Sequence, residues 1–141
     1  MKLEDILSGI KTDSTIDKQH LDVCSISIPN LHGKWINILV HERVTARTLE
    51  IKVADLMKNR TLYYLGKASD EVYKNEPLHH KILKQDLPMW LDSDEKLNEA
   101  KNSLYTQTLK ISAIESFLKE LSQRSFHIRN ALEDIKFKAG G

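Results

Sequence analysis

The sequence predicts an all-α chain, and three observations carry that prediction. The first is composition. Among 141 residues there are only five glycines and three prolines, 29% are charged and 40% are hydrophobic, a balance that favours helices over a β-rich fold. The second is a long stripe: read in sevens, Leu97, Leu104, Ile111, Leu118, Ser125 and Leu132 alternate with Ala100, Gln107, Ile114, Leu121, Ile128 and Ile135. Only Gln107 and Ser125 interrupt this stripe strongly, and a 3.5-residue repeat keeps one narrow face toward a partner helix. The third is a run from Lys34 in which Trp35, Leu39, Ala46, Leu49, Val53, Leu56 and Tyr63 fall on one helical face.

Taken in order, Leu3, Ile6, Leu7 and Ile10 are spaced as the apolar face of a short helix, with Glu4 and Asp5 near its positive end. So short a helix must dock on something. Residues 12–15 read as a turn and a new helix start. Residues 23–28 are rich in β-branched side chains but have no partner strand nearby. They are expected to be helical, with a kink or an end around Pro29 and a boundary near Gly33. In the next helix Ile36, Val40, Ile51, Met57, Leu62 and Leu65 widen the apolar arc, which implies contacts on two sides. Gly66 is placed to end it. Residues 67–91 read as an acidic loop with one short helix around residues 78–83. Asp92 is the expected cap of the last helix, with Glu95 completing a capping box and a bend near residues 122–125. That helix is expected to be an association helix. The bland alternative is that its stripe packs inside a bundle made by one chain.

The expected organisation is thus a hairpin-like helical part, residues 1–91, and an oligomerisation helix, residues 92–141. The association face would comprise Leu104, Ile111, Ile114, Leu118, Leu121, Ile128 and Leu132. No apolar run is long enough to span a bilayer and no signal peptide opens the chain. A single cysteine, Cys24, excludes an internal disulfide and suits a reducing cytoplasm. It reads best as a small hydrophobe.

Charge is segregated. The net +1 resolves into −2 over residues 1–31, +4 over 32–67, −4 over 68–99 and +3 over 100–141. The basic segment ends in Lys58-Asn59-Arg60-Thr61-Leu62-Tyr63-Tyr64, followed by Lys67. Cations neutralise phosphates and aromatic faces stack on bases, a combination used by single-strand binders. On an ideal helix Arg43, Arg47 and Lys58 share an arc of about 60° at 100° per residue, whereas Arg60 projects elsewhere. Tyr63 lies in the apolar phase, so Tyr64 is the better stacking candidate. The same cations would also complement the negative end of a helix without any ligand. Catalytic signatures are missing: no glycine-rich phosphate loop precedes a Lys-Ser/Thr pair, and the adjacent His79 and His80 would diverge by about 100° on a helix. No metal site, cofactor or catalytic group is expected.

Lys2-Leu3-Glu4-Asp5, Ile16-Asp17, Lys34-Trp35 with Asn37, Lys58-x-Arg60 with Tyr63-Tyr64, Ser125-Phe126, Ile128, Asp134 and Ala139-Gly140 give the chain a pattern that resembles the UvsY family of phage recombination mediators. The matching residues span nearly the whole chain, although residues 18–30 and 67–95 fit poorly. The resemblance implies a non-enzymatic, all-helical protein of the host-cell cytoplasm. It implies a ring-like homo-oligomer of six or seven copies, held through the C-terminal segment. It further implies binding of single-stranded DNA, with Lys58 and Arg60 carrying much of the contact. The implied partners are a RecA-like phage recombinase and the single-strand-binding protein that it displaces; no membrane is implied. A structural coiled-coil adaptor with no DNA role is the alternative from another class, and a metal-dependent enzyme is a distant third.

Overall fold

A computed structural model describes residues 1–140. Among these residues there are six α-helices and no strand: α1 (Leu3–Asp13), α2 (Leu21–Tyr64), α3 (Asp70–Asn75), α4 (Leu87–Asp92), α5 (Glu95–Ser122) and α6 (Arg124–Lys138), with a 3₁₀ turn at Lys84–Asp86 before α4. The chain packs as two compact units. The first is Met1–Val44 together with Gln107–Gly141, and the second is Thr45–Thr106.

In the first unit α1 docks as its spacing requires. Ile6 is fully buried with Trp35, Leu39, Ile114, Phe117, Leu118 and Leu121, and Ile10, Leu31, Ile38 and Ile111 pack around them. Trp35 meets Phe117 edge to face, with ring centroids 5.6 Å apart. Gly9 permits this approach: a Cβ there would lie 3.1 Å from the Trp35 ring. The indole N–H donates to Asp13 at 2.9 Å and Lys34 Nζ donates to the same oxygen at 2.8 Å. The buried Arg124 donates to the Asp13 backbone carbonyl at 2.7 Å. Gln107, the polar interruption of the stripe, is buried because it faces Glu42. Its amide donates to the Glu42 backbone carbonyl at 2.8 Å and also to the carboxylate.

Several expectations are corrected. Helix α2 does not stop at Pro29 or Gly33; it runs through both. A proline removes one backbone hydrogen bond, but Pro29 is exposed on a helix whose opposite face is buried further along, and one missing bond does not outweigh that packing. The helix stops where Gly66 predicts. Gly66 has φ of 76°, its N–H donates to the Tyr63 carbonyl at 3.2 Å, and the Lys67 N–H donates to Leu62 at 2.9 Å, the paired bonds of a Schellman end. No helix forms at residues 78–83; the short helices flank that stretch as α3 and α4. Because α4 already includes Asp92, the cap of α5 is Asp94, whose carboxylate accepts the Leu97 N–H at 2.8 Å. The last helix is two helices, divided at Gln123 inside the stretch where a bend was expected.

The seven-residue stripe is divided between buried and exposed positions. Ile111, Ile114, Leu118 and Leu121 are committed to the core of their own chain. Ile128 is buried as well, and Leu104 is half-buried. These side chains pack within the chain, as in the alternative of a stripe inside a one-chain bundle. The exposed continuation is on α6, where Leu132 and Ile135 are 43% and 46% exposed, with Phe126 and Phe137 on another face of the helix at 59% and 79%. The widened arc of α2 behaves differently from the two-sided contact expected of it: Ile36, Val40 and Ile51 face solvent.

Candidate nucleic-acid interface

The second unit is organised around Arg60, near the C-terminal end of α2. Its Nε donates to Asp94 at 2.7 Å, while the outer nitrogens donate to the two oxygens of Glu76 at 2.9 and 3.1 Å. The guanidinium lies over Tyr63, 4.3 Å from the ring centre, and near Tyr64 at 5.3 Å. Tyr64 donates its hydroxyl to Asp94 at 2.6 Å, and Lys96 Nζ lies 3.2 Å from Glu76. The aromatic frame is continuous: Tyr63 stacks on Tyr73 at 5.4 Å, and Tyr64 tilts against Trp90 at 5.9 Å.

The electrostatics follow from this geometry. Burial works against the charge of Arg60, but hydrogen bonds with Glu76, Tyr64 and Asp94 outweigh it and its pKa is raised. Burial would raise the Asp94 carboxyl, yet hydrogen bonds from Tyr64, the Leu97 N–H and Arg60 hold it below the ordinary carboxylate range. The hydrogen bond from Arg60 holds Glu76 low. Burial pushes the phenols of Tyr63 and Tyr64 up. The node is therefore a fixed set of charges: one guanidinium, two carboxylates and two neutral phenols.

The residues named from sequence are sorted by this arrangement. Arg60 is only 7% exposed, so it anchors the unit and does not lie open on the surface. Tyr63 is core, as its phase predicted. Tyr64 is half-buried, with Arg60 and Trp90 beside its ring and its hydroxyl engaged, so it offers no open stacking face. Lys58 and Lys67 are exposed, and neither makes an ion pair among the described residues. Arg47 is exposed with a loose 3.4 Å contact to Glu50. Arg43 belongs to the first unit and pairs with Glu115 at 2.7 Å. Sequence reasoning missed Glu76, Asp94 and Lys96. The available signal was the excess of acids over residues 68–99, which directly follows the basic segment and is opposite to it in charge, but spacing alone does not say which of those acids reaches Arg60.

A pocket of about 410 Å³ opens beside this node, lined by Asn59, Leu62, Lys67, Ser69 and Val72 among others. His79 and His80 are exposed in the irregular stretch, where His80 tilts against Trp90 at 5.6 Å. Among the described residues no His, Cys, Asp and Glu side chains group to hold a metal ion, and no helix is long and apolar enough to cross a membrane. Cys24 is a half-buried free thiol.

A family model described as the recombination, repair and ssDNA binding protein UvsY matches residues 9–141. The chain belongs to the UvsY family. No curated protein sequence matches it. Crystal structures of the bacteriophage T4 recombination mediator protein UvsY share the fold. The lattice type II form has a TM-score of 0.84 at 22% identity, covering 100% of this chain and 99% of that one. The type I form has 0.82 at 21%, covering 95% and 98%. The type IV form has 0.84 at 22%, covering 97% and 99%. For this member of the UvsY family the all-helical expectation is met.

Proposed function

We propose that this chain is a recombination mediator. It binds single-stranded DNA and promotes loading of a RecA-like phage recombinase onto DNA coated with single-strand-binding protein, in the host-cell cytoplasm and without catalysis of its own. The family match is the observation that carries this reading. Lys58 and Lys67, exposed and without ion pairs among the described residues, are the proposed phosphate contacts. Arg43 and Arg47 extend the cationic run along α2. Arg60 and Tyr64 shape the surface that presents these cations. Residues 1–91 supply most of the DNA-binding part, with the 67–91 segment supplying Glu76, and residues 92–141 carry self-association along with Asp94 and Lys96, which reach the Arg60 node.

Self-association matters because one small cationic site is weak. Several held together raise avidity without new contacts. The proposed contact is the exposed apolar side of α6, Leu132 and Ile135, in a ring-like homo-oligomer of six or seven copies. Leu104 at its half-buried position is a secondary candidate.

The test is filament assembly by the cognate recombinase on DNA pre-coated with single-strand-binding protein. Addition of this protein is expected to relieve the block. Failure to stimulate over a wide range of protein and salt concentrations sinks the mediator reading. If the protein still self-associates but ignores DNA, the structural adaptor replaces it.

A further inference from the structure

The Glu76 side chain occupies a place built for an anion. Its two oxygens receive both outer nitrogens of Arg60, at 2.9 and 3.1 Å, and Lys96 Nζ at 3.2 Å. A parallel two-point contact on a guanidinium is the geometry that carboxylate and phosphate share. The two carboxylates on Arg60 are not equivalent. Asp94 holds the inner Nε and its side chain is 2% exposed, whereas that of Glu76 is 38% exposed. The inner partner is fixed and the outer one can be reached from solvent.

The backbone of Glu76 is anchored separately. Its N–H donates to Val72 at 2.9 Å, and its carbonyl accepts the Tyr63 hydroxyl at 3.1 Å. The carboxylate can therefore leave by side-chain rotation alone, while α3 stays in place and Asp94 keeps the guanidinium aimed. Hydrogen bonding from Arg60 keeps Glu76 ionised, so it competes as an anion.

We propose that Arg60 and Lys96 form a phosphate site for the backbone of single-stranded DNA, and that Glu76 is its built-in competitor, displaced when the strand arrives. This rests on the DNA-binding reading above. It adds Lys96 and the Glu76 competitor to the Arg60 contact that the family resemblance implies, and accounts for the resting pairing of Arg60. A site blocked by its own chain binds at its intrinsic affinity multiplied by the unblocked fraction. With the blocked form about 70–90% populated, removing the competitor tightens binding about three- to tenfold.

The experiment compares oligothymidylate binding, by fluorescence anisotropy at fixed salt, with thermal melting for the full chain. Glu76→Gln is expected to lower the melting temperature, because a pair is lost, and yet to tighten DNA binding three- to tenfold. A purely structural role moves both in the unfavourable direction. Glu71→Gln, the same charge change at an exposed position of α3, controls for net charge and is expected to give a smaller gain. Adding Lys96→Ala to Glu76→Gln is expected to cancel the gain. Glu76→Asp keeps the charge but shortens the reach, serves if the glutamine variant folds poorly, and is expected to tighten binding by a smaller factor. Binding by wild type with no gain in either Glu76 variant, or a gain matched by Glu71→Gln, overturns the displaced-carboxylate site alone. No binding by any form, wild type included, overturns the DNA reading and this site with it.

Discussion

The two packed units are held by different physics. The first is a shape problem: Trp35, Phe117, Ile114 and Leu121 interlock, and its polar groups sit around that core to satisfy an indole, an amide and a guanidinium. The second is a charge problem: Arg60 is surrounded by Asp94, Glu76, Tyr63 and Tyr64. Close-packed apolar cores tolerate changes that keep volume. Buried ion pairs tolerate almost no change that removes one charge and leaves the other. The contrast assigns stability to one region and electrostatic presentation to the other.

The contrast can be broken most forcefully in the first unit. Trp35→Ala is expected to cost about 3–5 kcal/mol, while Leu118→Met at the same core costs under about 1.5 kcal/mol. Chemical denaturation followed by circular dichroism measures both. Equal costs would show that shape does not govern there.

Asp94→Asn keeps shape and removes charge. Its expected cost is about 2–3 kcal/mol, below the usual figure for a broken buried pair because Glu76 still faces Arg60. A loss under half a kilocalorie in the same denaturation assay would mean that Arg60 is held by packing.

Acid separates the units next. Asp94 and Glu76 in the second unit and Asp13 in the first all have lowered pKa values. The folded chain thus binds fewer protons than the unfolded one in this range. The resulting stability is complete above the ordinary carboxylate pKa of about 4 and is lost as pH falls through the lower folded values. Asp17 in the first unit is also held low, but by His20 at the exposed surface, whereas Asp94 and Glu76 both meet the buried Arg60, so the second unit is expected to fail first. Each unit holds one of the two tryptophans, Trp35 and Trp90. Fluorescence of Trp90→Phe set against wild type assigns the order, and simultaneous loss would remove the distinction.

Leu132→Glu with Ile135→Glu is expected to shift native mass toward monomer while leaving the melting temperature of the monomer little changed. Ile114→Glu is expected to unfold the first unit instead. An unchanged oligomer in the α6 double variant moves the interface elsewhere.

The smallest effect belongs to the surface cations. Lys58→Ala and Lys67→Ala are expected to lie within about 0.5 kcal/mol of wild-type stability. Each lost phosphate contact is expected to flatten the log–log salt dependence of single-strand binding by about 0.7. A slope unchanged in both variants would remove them from the interface.

Much of this was legible before the structure because it is local. The α1 face, the glycine stop at Gly66 and the bend near Gln123 are written in neighbouring residues. The buried phase of Trp35, Leu39 and Tyr63 is periodic, and periodicity survives folding. What the stripe packs against was not legible. Ile114 reads the same whether its partner is Ile6 of its own chain or a second copy. Arg60 fails for a related reason. A basic-aromatic motif looks alike open or neutralised, and its neutralising acids lie 16 and 34 residues away. The boundary near Gly33 was misplaced because local penalties were weighed against no tertiary packing at all.

The first unit is made from both ends of the chain, with the second unit contained in between. During synthesis, the groups that meet Arg60 are all present once residue 96 has emerged. Trp35 and Leu39 must wait for Ile114, Phe117 and Leu121, some 75–85 positions later. At about 5–20 residues per second that interval lasts several seconds. Closing the intervening loop adds only a slowly growing entropy cost, so the delay is one of arrival more than of thermodynamics. For that time an indole with only its α1 contacts available is carried on a growing chain, and the charged node can reach its final form before it.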